Sequence, residues 1–441
     1  MSVGLQRLRD DAAAVRRGMG AKGDDPAVVD RAVGVETRRR ALLGEADELR
    51  RQRNLLSGRI EEAVRGGADA QGSQLVGVRR EAAAVGQRIA SLEQTIAAVG
   101  AELEELMLRI PNPPDPDVPV GGEEANRIVR TWGEPLAHAE YDGGSAGTWE
   151  RRPHWEVGEA LGILDLAAGA KVTGSGFVFW RGAGAALQRA LIDLMLTTHT
   201  REHGLTEVWA PALVNAASAR GTGQLPDKEG QMYVVPSDEL YLVPTAEVPI
   251  TNVHRDEILA ANDLPRRYVG YTPCFRREAG AAGKDTRGIL RVHQFDKVEM
   301  VFFERPADSP AALEELTGFA EVILQRLGLA YRVVVLASGE MGVTQAKTHD
   351  LEVWAPGVER WLEVSSCSNF RDYQARRMNI RWRPEPGAPL EFVHTLNGSG
   401  VALARTVAAI LECYQQPDGS VLVPEVLRPA LGMDRLAPPG S

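Results

Sequence analysis

The sequence predicts an α+β protein in two parts: an antiparallel two-helix coiled coil, then a larger domain in which helices flank a β-sheet. Three observations carry this. Two long apolar seams with 3,4 spacing occupy about residues 35–65 and 73–110, with a glycine-rich break between them. The run Pro111-Asn112-Pro113-Pro114 then forbids continuation of the helix. Downstream, two stretches of strand character, 268–276 and 289–303, flank a polar glycine-rich loop, the pattern of a long hairpin.

Taken in order, residues 1–30 are polar and alanine-rich, and Gly18, Gly20 and Gly23 limit them to one short helix over 3–17 and a loop. Leu42, Ala46, Leu49, Leu56, Ile60 and Ala63 form the first seam, with Arg53 its one misfit. The segment GGADAQG (66–72) breaks the helix. Ala82, Val85, Ile89, Leu92, Ile96, Val99, Leu103, Leu106 and Ile110 form a second seam without a misfit. So short a break makes the helices antiparallel, a hairpin roughly 45–55 Å long at 1.5 Å per residue. The seams alone suit a dimerisation coiled coil and a projecting arm equally. Arg38, Arg39, Arg40, Arg50, Arg51, Arg59 and Arg65 lie mostly off the seam, where they either coat a solvated face or meet phosphates.

Residues 111–150, rich in Pro, Gly, Asp and Glu, read as a linker. A glycine-rich strand is expected over 174–181. A helix over 182–203 has Leu187, Leu191, Leu194 and Met195 on its apolar side, and a strand over 206–210 stops at Pro211. After the hairpin come an amphipathic helix (311–327), a strand (331–336), a strand pair (348–354 and 360–364) around Pro356-Gly357, and a helix holding Arg405. Within the hairpin, period-2 alternation puts Phe295, Lys297 and Glu299 on one face. An aromatic plate, a cation and an anion then lie within about 14 Å, at roughly 3.4 Å per residue. Such a face suits a ligand with a base, a phosphate and an amino acid part.

Composition allows a sizeable core, with 44% hydrophobic and 25% charged residues. The net charge of −10 does not advertise a nucleic-acid binder. The charge is uneven, however. Residues 1–110 hold 18 basic against 17 acidic side chains, which leaves −11 on the remainder, so the N-terminal part is the less repulsive surface for RNA. Cys274, Cys367 and Cys413 are isolated, without CxxC spacing; this fits a reducing cytoplasm and gives no zinc site. No apolar run is long enough for a membrane span. Gly280 to Thr286 departs from a P-loop, because Asp285 stands where Ser or Thr must follow the lysine. The dispersed histidines contain no HExxH, and no GxGxxG opens a helix.

Phe275-Arg276-Arg277-Glu278, a variable loop, then Arg291-x-x-x-Phe295 resembles motif 2 (about 268–303) of the class II aminoacyl-tRNA synthetases. The longer string FRREAGAAGKDTRGILRVHQFDKVE is similar to the seryl-tRNA synthetases in particular. So are GTGQLP (221–226), PTAEVP (244–249), E-x-S-S-C-S-N (363–369) and YQQPDGSVLVPEVLRP (414–429). The helix, strand and proline over 182–211 resemble motif 1, and 395–430, opening on TLNGSG, resembles motif 3. The likeness runs from the coiled coil to about residue 430. Two local departures stand out: Asp227-Lys228-Glu229, where the family usually has Lys-Phe, and Arg277, where it commonly has serine.

The resemblance implies an N-terminal tRNA-binding domain (1–110) whose coiled coil grips the tRNA. It also implies a catalytic domain (111–441) on an antiparallel sheet of six to eight strands, and a cytoplasmic homodimer formed through motif 1. The implied reaction joins L-serine to serine tRNA through seryl-adenylate, with Mg²⁺ accompanying ATP, no zinc, and selenocysteine tRNA as a conceivable second acceptor. A carboxylate is already a nucleophile, so adenylation needs positioning and charge stabilisation rather than a general base. By resemblance Arg276 serves the α-phosphate and Arg405 the γ-phosphate. Phe295 stacks on adenine, with the Arg405 guanidinium on the opposite face, and Glu278 orients the adenine amine. Arg277, Val364 and Ser365 complete the ATP contacts, and Glu363 and Ser366 hold Mg²⁺. Thr245, Ala246, Glu247, Glu299 and Ser399 form the serine site, with Glu247 on the ammonium and Glu299 on the hydroxyl. Two other readings are an enzyme that activates a small amino acid for a carrier protein, which the coiled coil argues against, and an inactive coiled-coil paralogue. The presence of Arg276, Glu278, Phe295, Glu363 and Arg405 argues against the second.

Overall fold

A computed structural model of the chain describes residues 3–67, 72–141, 148–227, 230–279 and 287–439. The middle of the predicted helix break (68–71), Lys228 and Glu229 of the divergent loop, and the P-loop-like string at 280–286 lie outside the described residues. The chain forms two compact units, Met1–Pro113 and Pro114–Ser441.

In the first unit the expected single helix over 3–17 is two, α1 (Leu5–Asp10) and α2 (Ala12–Ala21). Asp11 is the reason: its side chain accepts the Ala14 N–H at 2.9 Å and starts a new helix as an N-cap. Helix α2 runs through Gly18, where Pro113 packs so closely that a Cβ would stand 2.8 Å from the proline Cβ. Helix α3 (Ala27–Arg65) begins earlier than the heptad seam predicts. Its first turns bury Val28, Val29 and Ala32 against Leu103 and Met107 of α4 (Ser73–Arg109) and the Ile110 that follows it, a small globular core and not a seam. Beyond it the seam holds. Ala46, Leu56, Val85, Ile89 and Val99 are buried, while the misfit Arg53 is exposed. Arg50–Glu93 and Arg88–Glu45, each at 2.8 Å, cross between the helices.

The second unit begins with a correction. The expected linker contains β1 (Arg127–Trp132), an edge strand whose Trp132 stacks on Tyr331 with centroids 5.8 Å apart. Helix α5 (His154–Ala160) follows, and the strand expected over 174–181 is reduced to a two-residue pairing, Phe179–Trp180. Next come α6 (Ala183–Arg201), β2 (Thr206–Val208), α7 (Ala216–Thr222) and α8 (Glu247–Thr251). The hairpin strands are β3 (Arg266–Phe275) and β4 (Gln294–Glu304), followed by α9 (Ser309–Arg326). The chain continues through β5 (Tyr331–Val335), β6 (Lys347–Ala355), β7 (Arg360–Arg371) and α10 (Tyr373–Met378) to β8 (His394–Ala402) and α11 (Leu403–Cys413).

The eight strands make one sheet in the order β1-β5-β6-β7-β8-β4-β3-β2. Every neighbouring pair is antiparallel except β2–β3. Helices α6, α9 and α11 cover one face, against Val298, Met300 and Phe302 of β4. Gly398 lets α9 approach, since a Cβ there would stand 2.7 Å from Cys367 Sγ and 3.2 Å from Leu316 Cγ. Over part of its length the other face carries a smaller core of Val301, Phe303, Ala246, Ile250, Met378 and Trp382. Elsewhere it is open.

One buried carboxylate ties the far parts together. Glu412 Oε1 accepts from His154 Nδ1 at 2.7 Å and from the His154 backbone N–H at 3.0 Å. Its Oε2 accepts from the N–H groups of Gly357 at 2.8 Å and Val358 at 3.1 Å. The Ile289 N–H can only donate, so His154 Nε2 accepts from it (3.2 Å) and the ring proton sits on Nδ1. Both side chains are fully buried. Glu412→Ala should lower unfolding free energy by about 3–5 kcal/mol, read by denaturant titration, because it strips four buried donors of their acceptor, and His154→Ala should cost less, because three backbone donors stay on the carboxylate.

Candidate active site

The open part of the sheet floors a cavity of about 520 Å³. Strand alternation supplies much of its lining. Phe295, Lys297 and Glu299 of β4 face into it as predicted, and so do Asn397 and Ser399 of β8. Glu299 stands opposite Ser399 in the β4–β8 ladder. Glu363 and Ser366 of β7 both line the cavity although they are three residues apart, a spacing that regular alternation would place on opposite faces. A register shift against β6, between Leu351 and Glu352, brings them to the same side.

At one end lies a network of buried polar groups. Lys297 Nζ is 2.7 Å from Glu299 Oε2, and the Ser399 hydroxyl donates to the same oxygen at 3.2 Å. The Asn397 amide donates to Glu299 Oε1 at 2.7 Å and to Glu247 Oε2 at 3.0 Å, bridging the two carboxylates. Thr245 Oγ1 accepts the Glu247 N–H at 3.2 Å. Burial, and then the neighbouring charge of Glu299, push the Glu247 carboxyl up to about 7, against the hydrogen bond from Gln374 and the charges of Lys297 and Arg276.

The other end is cationic and aromatic. The Arg276 guanidinium lies 5.2 Å over the Phe295 ring, on the ring that the resemblance gives to adenine, and its Nε donates to the Pro244 carbonyl at 3.4 Å. Arg405 instead reaches across the cavity. Its Nη1 donates to the Glu363 carbonyl at 2.7 Å and stands 3.4 Å from the Glu363 carboxylate, and its Nε donates to the Leu290 carbonyl at 3.3 Å. Glu278, held at φ +49°, accepts from Arg291 at 3.1 Å. Asp350 is buried behind Ser366. It hydrogen-bonds that side chain and is raised well above the usual carboxylate range by burial and then by Glu363, while its Oδ1 has no partner.

Of the residues expected at the site, Thr245, Glu247, Arg276, Glu278, Phe295, Glu299, Glu363, Val364, Ser365, Ser366, Ser399 and Arg405 line this cavity. The Ser365 hydroxyl is engaged with the Ser399 carbonyl at 2.8 Å. Two are placed elsewhere. Ala246 is fully buried in the smaller core, and Arg277 is exposed, its backbone N–H donating to the Gln231 carbonyl at 2.8 Å. Gln231 also holds Ala279 through its side chain (3.1 Å) and is itself capped by Asp227, so the divergent loop braces the start of the hairpin tip. Sequence reasoning did not single out Asn397, Gln224, Leu290 or Gln345 as lining residues. Asn397 sits inside the TLNGSG string, two residues from Ser399, and alternation alone would have found it.

Two family descriptions match: the seryl-tRNA synthetase N-terminal domain over residues 4–114, and the class II tRNA synthetase core domain (G, H, P, S and T) over 233–414. A serine–tRNA ligase of Gemmatimonas aurantiaca is 56% identical over 335 residues, 76% of this chain and 77% of that one. One of a Geobacillus species is 57% identical over 332 residues, 75% and 76% of the two chains. The crystal structure of seryl-tRNA synthetase from Pyrococcus horikoshii complexed with ATP superposes with a TM-score of 0.91 at 35% identity, covering 99% of both chains. The cytoplasmic serine–tRNA ligase from Naegleria fowleri in complex with AMP gives 0.88 at 26% identity, again over 99% of both.

The electrostatics predict a pH dependence. An ammonium-bearing ligand requires the anionic form of Glu247, whose carboxyl in the free cavity titrates at about 7. Affinity should be full above that pH and fall as the pH drops through it. Binding near neutrality should release a fraction of a proton, measurable by calorimetry in buffers of different ionisation enthalpy.

Proposed function

The chain belongs to the seryl-tRNA synthetases, and from that premise we propose how its cavity joins serine to tRNA. It is a class II serine–tRNA ligase. The serine carboxylate attacks the α-phosphorus of ATP and pyrophosphate leaves. The 3′-terminal adenosine hydroxyl of serine tRNA then attacks the seryl carbonyl and AMP leaves. The observation that carries the residue assignment is the pair of buried carboxylates, Glu247 and Glu299, bridged by Asn397 at one end of a cavity whose other end is arginine and phenylalanine. An ammonium group answers Glu247 and a hydroxyl answers Glu299. Alanine would forgo the hydroxyl's hydrogen bond to Glu299 in a buried site, a larger loss than a missing methylene.

Adenine takes the Phe295 face as Arg276 turns from the ring to the α-phosphate, where a planar fork can hold two oxygens. Arg405 serves the terminal phosphate, and Glu278 the adenine amine. The residues around Glu363 fit a hard dication, being all-oxygen donors that line the cavity, with an unpartnered carboxylate oxygen of Asp350 behind them. Glu363 and Ser366 would hold Mg²⁺ arriving with ATP, and the ion would offset phosphate charge. The homodimer reading is supported by the free edge of β2 and by exposed Trp209 (84%) and Leu213 beside it. In the first unit Arg39, Arg50 and Arg51 are engaged with acids. Arg38, Arg40, Arg59 and Arg65 are exposed and make no ion pair among the described residues, so these four are the proposed phosphate contacts. No helix among the described residues is long and apolar enough to cross a membrane, and the three cysteines are free, which supports a cytoplasmic assignment.

Serine-dependent ATP–pyrophosphate exchange tests the reading, with alanine, threonine and glycine as controls. Exchange with serine alone is expected, and Arg276→Ala should lower it about 100- to 1000-fold. Charging of serine tRNA should be lost when residues 36–110 are removed while exchange persists. Exchange favouring alanine or glycine would favour the carrier-loading enzyme, and normal charging without the coiled coil would overturn its role in gripping the tRNA. No exchange with any amino acid would leave the inactive paralogue.

A further inference from the structure

Behind the serine end of the cavity, and absent from its lining, lies Gln374 of α10. Its side chain is 99% buried and touches three elements. Its Nε2 donates to Glu247 Oε1 at 2.6 Å and lies 3.4 Å from the Thr222 carbonyl at the end of α7. Its Oε1 accepts from the Thr395 hydroxyl of β8 at 2.7 Å. The Thr222 carbonyl can only accept, so the amide nitrogen must lie on that side and the amide oxygen toward Thr395. The amide is therefore locked with its donor end against the carboxylate.

We propose that Gln374, locked by Thr395 and Thr222, is a positioning residue that holds Glu247 in the orientation and anionic form in which it receives the substrate ammonium. This rests on the serine-site reading above. Each Glu247 oxygen takes one donor, from Gln374 behind the cavity on Oε1 and from Asn397 of its lining on Oε2, which leaves the remaining lone pairs for the ligand. The other charged groups facing Glu247 are Glu299, which disfavours its anion, and Lys297 and Arg276, which favour it. Without Gln374 the balance moves toward the neutral acid, which does not attract an ammonium group.

The test is Gln374→Met, close in shape but without a donor, together with Thr395→Val and Thr395→Ser. Serine-dependent exchange is followed from pH 6 to 9, and thermal unfolding checks the fold. The Gln374→Met enzyme should show a serine KM raised about tenfold to a hundredfold with the ATP KM unchanged. The acid limb of its serine kcat/KM profile should move to higher pH. Thr395→Val should follow in the same direction with a smaller effect, and Thr395→Ser, which keeps the hydroxyl, should match the unsubstituted enzyme. A serine KM and acid limb unchanged in Gln374→Met, or equal losses for serine and ATP, would overturn the proposal. If Gln374→Met does not fold, the Thr395 pair decides: equal serine KM values for Val and Ser would overturn it. Absence of serine-dependent exchange in the unsubstituted enzyme would instead sink the underlying site assignment.

Discussion

The second unit depends on the carboxylate of Glu412. It sits in the last turn of α11, 0% exposed, and takes four donors from two distant segments. An ion buried this deeply is tolerable only when its lone pairs are fully used. Using them fixes the start of α5, the turn between β6 and β7 and, through His154, the segment at Ile289. The next residue, Leu290, gives its carbonyl to Arg405, one helical turn from the start of α11. The same helix thus carries the structural anion inward and the cavity's cation outward. The position of the one follows from the constraint on the other.

The serine end of the cavity shows the opposite economy. Two carboxylates share one amide, and burial works against the charge of Glu247. The Gln374 hydrogen bond and the charges of Lys297 and Arg276 offset this only in part, which leaves the Glu247 carboxyl pushed up to about 7. The pair is therefore under-neutralised by the protein's own groups. On the assignment proposed above, an ammonium group against Glu247 would supply the missing charge.

How much of this was legible in the chain differs by element. The seams of α3 and α4 were, because a heptad is a local repeat and each buried position announces the next. The face holding Phe295, Lys297 and Glu299 was legible for the same reason at period 2. The early start of α3 was not, since Val28, Val29 and Ala32 pack on residues some seventy positions away. Nor was β1, because Pro- and Gly-rich surroundings mask an edge strand whose pairing partner lies two hundred residues on. Glu363 and Ser366 could be brought together from resemblance but not from alternation, which a bulge defeats. Gln374 carried no local signal at all: its role exists only where three elements meet.

The strand order has a consequence for how the molecule is made. Strand β8, synthesised after both of its neighbours, is inserted between β7 and β4, in the middle of the sheet. Until residue 402 has left the ribosome, β4 and β7 each present an unpaired edge with buried-type side chains, and neither Asn397 nor Ser399 exists to bridge or neutralise the carboxylates. The serine end therefore cannot close on a nascent chain. A product truncated before β8 lacks the part of the floor that carries Asn397 and Ser399 and exposes two sticky edges, which makes premature termination a source of aggregation rather than of partial activity.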